Sequence, residues 1–189
     1  MKLETRKDEI ILTAAKLFKE KGYSAVTMRD IAKAMGIKAA SLYNHISSKQ
    51  DLLKEIIISL AEEFTIGMDS ILKSNVNSIS KLKQIVSLHV NITHLNVFGM
   101  ASLNNDWMHL EEQLEYYIDL RHNYEDNFRK ILNEGVKNGE IINSNPEVML
   151  FSMLSTLRSL YLWIPKKEDL NLSELSSNLS DVLINGISH

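Results

Sequence analysis

Cysteine is absent from the 189 residues, which excludes a disulfide framework and any thiolate metal site. Proline and glycine are scarce, two and seven residues respectively, so there is little material for the turns an all-β chain needs. Strict apolar–polar alternation is also missing, and apolar residues recur instead at three- and four-residue steps. No run of apolar residues approaches the ~18 of a membrane helix. The opening stretch, MKLETRKDEIILTAAKLF, is broken by charges every few positions and does not read as a signal peptide. Together these absences predict an all-α, cytoplasmic chain with no membrane association.

Catalytic and metal signatures are missing as well. There is no G-x-S-x-G, no Gly-rich phosphate loop and no H-E-x-x-H. Six histidines are present. His89 and His94 are five apart and do not share a helix face, while His109 and His122 each sit at three-residue steps from carboxylates (Asp106 and Glu112; Asp119 and Glu125). Such spacing is expected of a solvated ion-pairing face and completes no ligand set. Neither catalytic residues nor a metal nor a cofactor is expected, and the chain does not read as an enzyme.

Positive charge is in short supply overall, with a formal net charge of −3. The deficit is uneven. Residues 1–55 hold eleven Lys/Arg against seven Asp/Glu, +4, whereas residues 56–189 hold ten against seventeen, −7. Only the face near phosphates must be positive for nucleic-acid binding, so the division permits a DNA-binding N-terminal part.

What is present is helical punctuation. Thr5 and Asp8 form a capping-box pattern opening a helix over 5–21, with Ile10, Ala14, Leu17 and Phe18 on one face and Gly22 as its stop. Thr27 and Asp30 repeat that pattern for a second helix that buries Ile31, Ala34 and Met35. Gly36 supplies a sharp turn, Ile37 a plug between helices, and a third helix covers about 38–45 with Leu42 and Ile46 inward. Ser48 caps a fourth helix, with Asp51 at its third position. Two short helices joined by a Gly-containing turn have helix-turn-helix geometry, in which the second helix enters the major groove.

IILTAAKLFKEKGYSAVTMRDIAKAMGIKAASLYNHISSKQDLL resembles the N-terminal DNA-binding domain of the TetR family of bacterial transcriptional regulators. The resemblance covers about residues 10–53 and rests on A-A-x-L-F-x-x-x-G, T-x-R-D-I-A, the turn Gly, L-Y-x-H and the closing S-K-x-x-L-L. It implies DNA contacts from Thr27, Arg29, Lys38, Ala39, Ala40, Ser41, Tyr43, Asn44, His45 and Lys49, with Thr27, Tyr43 and Lys49 on phosphates. Two positions depart from the family pattern, Ala40 where Gly is common and Ile46 where an aromatic is usual.

Downstream, one long helix is expected over 51–72, then a polar break at 74–80. Another helix is expected over 81–98, with Leu82, Ile85, Val86, Leu88, Val90 and Ile92. Gly99 and Asn104–Asn105 read as breaks. A long helix over 106–137 turns Leu110, Leu114, Tyr117, Ile118, Tyr124, Phe128, Ile131 and Leu132 inward and ends at Gly139. Asn145, Pro146 and Glu147 open the next helix, which runs to about Trp163 and stops at Pro165. The last helix starts at Asn171 or Ser173 and runs to about Asn185, with Leu175, Leu179, Val182 and Leu183 in its stripe.

MLFSMLSTLRSLYLWI carries a single charge, Arg158. A helix apolar nearly all round needs cover on more than one side, and a second subunit supplies it. The family resemblance implies a homodimer through the last two helices, about 146–163 and 172–185, suited to a palindromic operator. It also implies a small hydrophobic effector in the C-terminal part. Candidate contacts are Met100, Trp107, Met108, Tyr117, Arg121, Tyr124, Met153 and Trp163, a mixture that fits a small-molecule cavity. RHNYEDNFRKILNEGVKNGEI with LYLW is similar to a branch whose effectors are acyl-CoA thioesters or lipid-like molecules, and there Arg121 would meet an anion. The expected organisation is a helix-turn-helix domain over 1–50 and an effector-binding and dimerisation domain over 51–189. Such a chain would be a homodimeric repressor released from double-stranded operator DNA by its effector. An all-α small-molecule or protein-binding module without DNA activity is the alternative.

Overall fold

The computed structural model describes residues 5–185. Among them, ten α-helices follow one another with no strand: α1 Arg6–Lys21, α2 Met28–Ala34, α3 Ala39–Leu42, α4 Lys49–Lys73, α5 Ser78–Leu95, α6 Val97–Asn105, α7 Leu114–Lys137, α8 Pro146–Arg158, α9 Leu160–Trp163 and α10 Leu172–Asn185. The contacts divide the chain into two compact units, 1–62 with 96–118, and 63–95 with 119–189.

In the first unit both predicted capping boxes are formed. Thr5 accepts from the Asp8 amide at 3.2 Å while Asp8 accepts from the Thr5 amide at 3.0 Å. α1 buries Ile10, Ala14, Leu17 and Phe18 as expected, and α6 packs along it. Gly22 and Gly36 take φ of +82° and +67°, backbone that a side chain disfavours. α2 buries Ile31 and Ala32, while Ala34 is exposed and Met35 and Ile37 are half-buried. A seven-residue helix presents only one turn inward, and Ala32 rather than Ala34 lies on it.

Two expectations for the 96–113 region fail. Gly99 is no break but lies inside α6, where an added Cβ would stand 2.9 Å from Leu60 Cδ1; glycine serves close helix packing there. The helix expected from 106 starts only at Leu114, after 3₁₀ turns at Trp107–His109 and Glu111–Gln113. Glu111 takes φ of +46°, which a continuing right-handed helix cannot accommodate.

The second unit is built on α5, whose Leu82, Ile85, Val86 and Val90 are fully buried, together with Phe128, Ile131 and Leu132 of α7. Leu88, expected inward, is only half-buried. Gly139 closes α7 with φ of +73°. Asn145 caps α8 through the Glu147 amide at 3.0 Å, with Pro146 in the first turn.

The apolar stretch after Pro146 is interrupted at Ser159. The Ser159 hydroxyl donates to the Ser155 carbonyl at 2.8 Å and the Thr156 hydroxyl to the Ser152 carbonyl at 3.1 Å, local bonds that compete with the helix ladder. Pro165 lies in a final 3₁₀ turn. By length and composition alone 146–166 could cross a membrane, yet 44% of its most apolar window is buried inside this fold. α10 packs on α5 through Ser176, Ser180 and Ile184. The expected stripe is therefore not its inner face: Leu175, Leu179 and Leu183 are half-buried and Val182 is 76% exposed.

Candidate nucleic-acid interface

The helix-turn-helix lies wholly in the first unit. Thr27 caps α2 reciprocally with Asp30: its Oγ1 accepts from the Asp30 amide at 3.2 Å, and its backbone amide and hydroxyl donate to Asp30 Oδ2 at 2.9 and 2.6 Å. The Thr27 hydroxyl and amide bonds, with lesser help from Lys21 and Lys33, hold the Asp30 carboxyl below its ordinary range. A phosphate reaching Thr27 must therefore exchange with a carboxylate that already takes both its donors.

After Gly36, Lys38 is extended (φ −73°, ψ 144°) and leads into α3 without a side-chain cap. α3 is a single turn, shorter than the helix expected over 38–45. The Tyr43 amide reaches the Ala39 carbonyl at 3.4 Å, and the His45 and Ile46 amides both converge on the Leu42 carbonyl, so the chain leaves the helix through a turn. Leu42 and Ile46 anchor it from beneath at 0% and 5% exposure. Outward stand Arg29, Lys38, Ala40, Ser41, Tyr43, Asn44 and His45, with Ala39 half-buried. Tyr43 is 54% exposed. A small-sided turn flanked by Lys38 and Tyr43 suits approach to a groove, with methyl and hydroxyl groups for base edges.

Lys49, expected on a phosphate, also has internal partners. Its Nζ donates to the Tyr23 carbonyl at 3.0 Å and the Val26 carbonyl at 2.9 Å, and lies 4.2 Å from the Tyr23 ring centroid. An ammonium has three donors, so two of them are spent on tying the loop before α2 to the start of α4.

Sequence reasoning missed the residues behind this tie. The Tyr23 ring stacks on His109 at 5.2 Å and meets Phe18 edge-on at 5.1 Å. Gln50 donates to the His109 carbonyl at 2.8 Å. Burial raises the Asp106 carboxyl, against a hydrogen bond from the Tyr23 amide. Nothing adjacent in sequence announces this, because His109 and Asp106 lie more than eighty residues downstream of Tyr23.

The residues expected around an effector divide between the units. In the first, Met100 is buried, Trp107 stacks on Tyr117 at 5.8 Å, the Tyr117 hydroxyl donates to the Leu103 carbonyl at 3.2 Å, and Met108 is exposed. In the second, Met153 is buried and Tyr124 faces His89, their Oη and Nε2 2.9 Å apart. Arg121 pairs with Glu125 at 3.2 Å, and Arg158 reaches the same carboxylate at 2.6 Å. Partial burial pushes Glu125 up, and the bonds and charges of Arg158 and Arg121 outweigh it, so the carboxyl stays below its usual range. Trp163 is exposed on a groove of about 490 Å³ with Ser155, Thr156, Ser159, Leu160, Leu175 and Leu179.

An exposed single-turn helix of small side chains, preceded by Lys38 and followed by Tyr43 on a helix-turn-helix, points to a DNA-binding regulator. Residues 10–56 match the family described as bacterial regulatory proteins, tetR family, and residues 75–187 match the tetracyclin repressor-like C-terminal domain. The chain belongs to the TetR family of transcriptional regulators. It is 30% identical to the HTH-type transcriptional repressor KstR2 of Rhodococcus jostii over 136 residues, 71% of this chain and 67% of that one. It is 49% identical to the icaADBC negative transcriptional regulator IcaR of Staphylococcus aureus over 51 residues, 27% of each chain. The fold of the ketosteroid transcriptional regulator KstR2 of Mycobacterium tuberculosis superposes with a TM-score of 0.91 at 21% identity, covering 98% of this chain and 96% of that one.

Proposed function

We propose that the chain is a cytoplasmic, homodimeric repressor without catalytic activity, released from a palindromic operator by a small hydrophobic effector. The observation that carries the DNA part is the joint exposure of Arg29, Lys38, Ser41, Tyr43, Asn44 and His45 on one helix-turn-helix. Ala39 and Ala40 line the approach. In this reading Tyr43 and Lys38 make the principal backbone contacts. Thr27 and the remaining N–H of Lys49 add to them once their internal bonds are shared. The functional division falls near residue 50, with 51–189 serving effector and dimer. Repression is favoured because KstR2 and IcaR are both named for it.

Support for the dimer comes from the outer faces of α8, α9 and α10. Phe151, Leu162, Trp163 and Val182 are all exposed there, and an apolar patch of this kind marks an interaction surface. For twofold binding to DNA, two half-sites about 34–36 Å apart need two recognition helices. Effector coupling has a physical route within the first unit, since α6 packs on α1 and His109 stacks on Tyr23. A ligand that prefers the arrangement unfit for DNA shifts the population by its differential affinity. The proposed effector contacts are Met100, Trp107 and Tyr117 within the first unit, and Arg121, Tyr124, Met153 and Trp163 within the second.

The test is salt-dependent binding to the chain's own upstream DNA. Wild type is expected to bind with a steep salt slope, and Lys38→Ala to reduce that slope by about one. Unchanged affinity in a Tyr43→Ala, Lys38→Ala double variant would sink the DNA reading.

A further inference from the structure

The second unit encloses two polar groups that its own packing leaves unanswered. His89 and Thr93 are four residues apart on α5, so their side chains share a face with Cβ atoms about 5–6 Å apart. Both are buried, at 3% and 0% exposure. His89 Nε2 meets the Tyr124 hydroxyl at 2.9 Å, but His89 Nδ1 and Thr93 Oγ1 have no hydrogen-bonding partner. Buried groups of this kind nearly always find one. A helical threonine usually donates to the carbonyl one turn back, and Thr93 does not.

A phenol O–H is a stronger donor than a neutral imidazole N–H, and an imidazole nitrogen is a stronger acceptor than a phenol oxygen, so in the arrangement we adopt the Tyr124 hydroxyl donates to His89 Nε2. The ring proton then sits on Nδ1. Both unanswered groups are donors, an imidazole N–H and a hydroxyl, which together ask for one acceptor.

The surroundings say which acceptor. The Phe64 ring lies 4.6 Å from His89 and 5.8 Å from Tyr124, so the walls are aromatic. The guanidinium whose charge reaches His89 is that of Arg158, which is already paired with Glu125, a carboxylate it shares with Arg121. Burial, with the charge of Arg158, keeps His89 neutral by pushing its pKa down to about 3. No cationic side chain hydrogen-bonds to His89 Nδ1 or Thr93 Oγ1, so an anion held there would have no directly bonded counter-charge.

We propose that His89 and Thr93 form the polar end of a small-molecule site in this unit that takes a neutral ligand through a carbonyl oxygen, as in a ketone, ester or amide, flanked by Phe64 and Tyr124. The proposal rests on the chain being ligand-responsive and names the ligand's chemistry.

Cyclohexanone is the probe, small and soluble, with cyclohexanecarboxylate and methylenecyclohexane as matched anion and hydrocarbon. The readout is the His89 Nδ1–H resonance in full-length protein labelled with ¹⁵N-histidine. Cyclohexanone at millimolar concentration should shift that resonance saturably, and the carboxylate and hydrocarbon should not. Thr93→Val should weaken the ketone about tenfold, the loss of roughly one hydrogen bond, and Thr93→Ser should restore it within threefold. An unmoved resonance, a water retained on Nδ1 at saturating ketone, tighter binding of the carboxylate, or equal ketone affinity in Thr93→Val would each overturn the site. Fluorescence anisotropy on the upstream DNA separates the two readings. Ketone binding at His89 without DNA release keeps this site and defeats the effector role, whereas release by a compound that leaves His89 unmoved does the reverse.

Discussion

The ammonium of Lys49 lies 4.2 Å above the ring of Tyr23 and 3.0 Å from the carbonyl of that same residue. One side chain thus satisfies the loop that precedes α2 and stands at the start of α4. If Lys49 also meets phosphate as proposed, structural and DNA roles overlap at this position. Lys49→Met keeps the aliphatic stem but leaves the Tyr23 and Val26 carbonyls without their donor. It should cost about 2 kcal/mol in urea unfolding and weaken DNA binding at the same time. DNA affinity lost at full stability would show that the tie contributes little.

Tyr43 should behave oppositely. Its ring is mostly in solvent, so Tyr43→Ala should change stability by no more than about 0.5 kcal/mol while lowering DNA affinity severalfold. Parallel loss of both, followed by urea unfolding and anisotropy, would mean that the ring packs rather than binds.

Thr27→Ala removes an N-cap and should destabilise the protein by about 1 kcal/mol. The pH dependence belongs to Asp30, whose carboxyl is held below its unfolded value of 3.8 by Thr27. A depressed acid contributes stability above the unfolded pKa and loses it as pH falls through the folded one. Wild type should thus lose stability below about pH 4 more steeply than Asp30→Asn, which paired urea titrations across that range would check.

His89 works at higher pH. Its unfolded pKa of 6.5 drops to about 3 in the fold, so the unfolded chain takes up a proton between those values and the folded one does not. Stability is full above 6.5 and falls as pH drops towards 3, with a slope approaching about 1.4 kcal/mol per pH unit. His89→Gln removes the titration. Its stability profile over that window should be flatter than wild type, and an equally steep profile would place the dependence on other groups.

Local rules were legible and long-range ones were not. The capping boxes at Thr5 and Thr27, the positive φ of Gly36 and the Asn145–Pro146 start follow from a few adjacent residues. The helix-turn-helix was equally readable because its exposed and buried positions alternate within one short window. Gly99 misled, because glycine marks either a break or a close approach, and only Leu60, thirty-nine positions away in sequence, decides which. The stop at Ser159 depends on hydroxyl bonds to Ser155 that periodicity does not register. The family resemblance put Lys49 on a phosphate, and nothing near it in sequence announces the Tyr23 and Val26 carbonyls that it also meets. The stripe of α10 was read one position off its buried centre, because Ser176 and Ser180 pack deepest and Leu175, Leu179 and Leu183 flank them half-buried.

The incomplete cover of α10 has a consequence for how the protein is handled in solution. With Leu175, Leu179 and Leu183 only half-buried and Val182 in water, an isolated subunit leaves part of its apolar stripe wet. In the proposed dimer, association and folding are then linked by mass action. The unfolding midpoint should climb as the protein is concentrated, and dilution alone should bring it down.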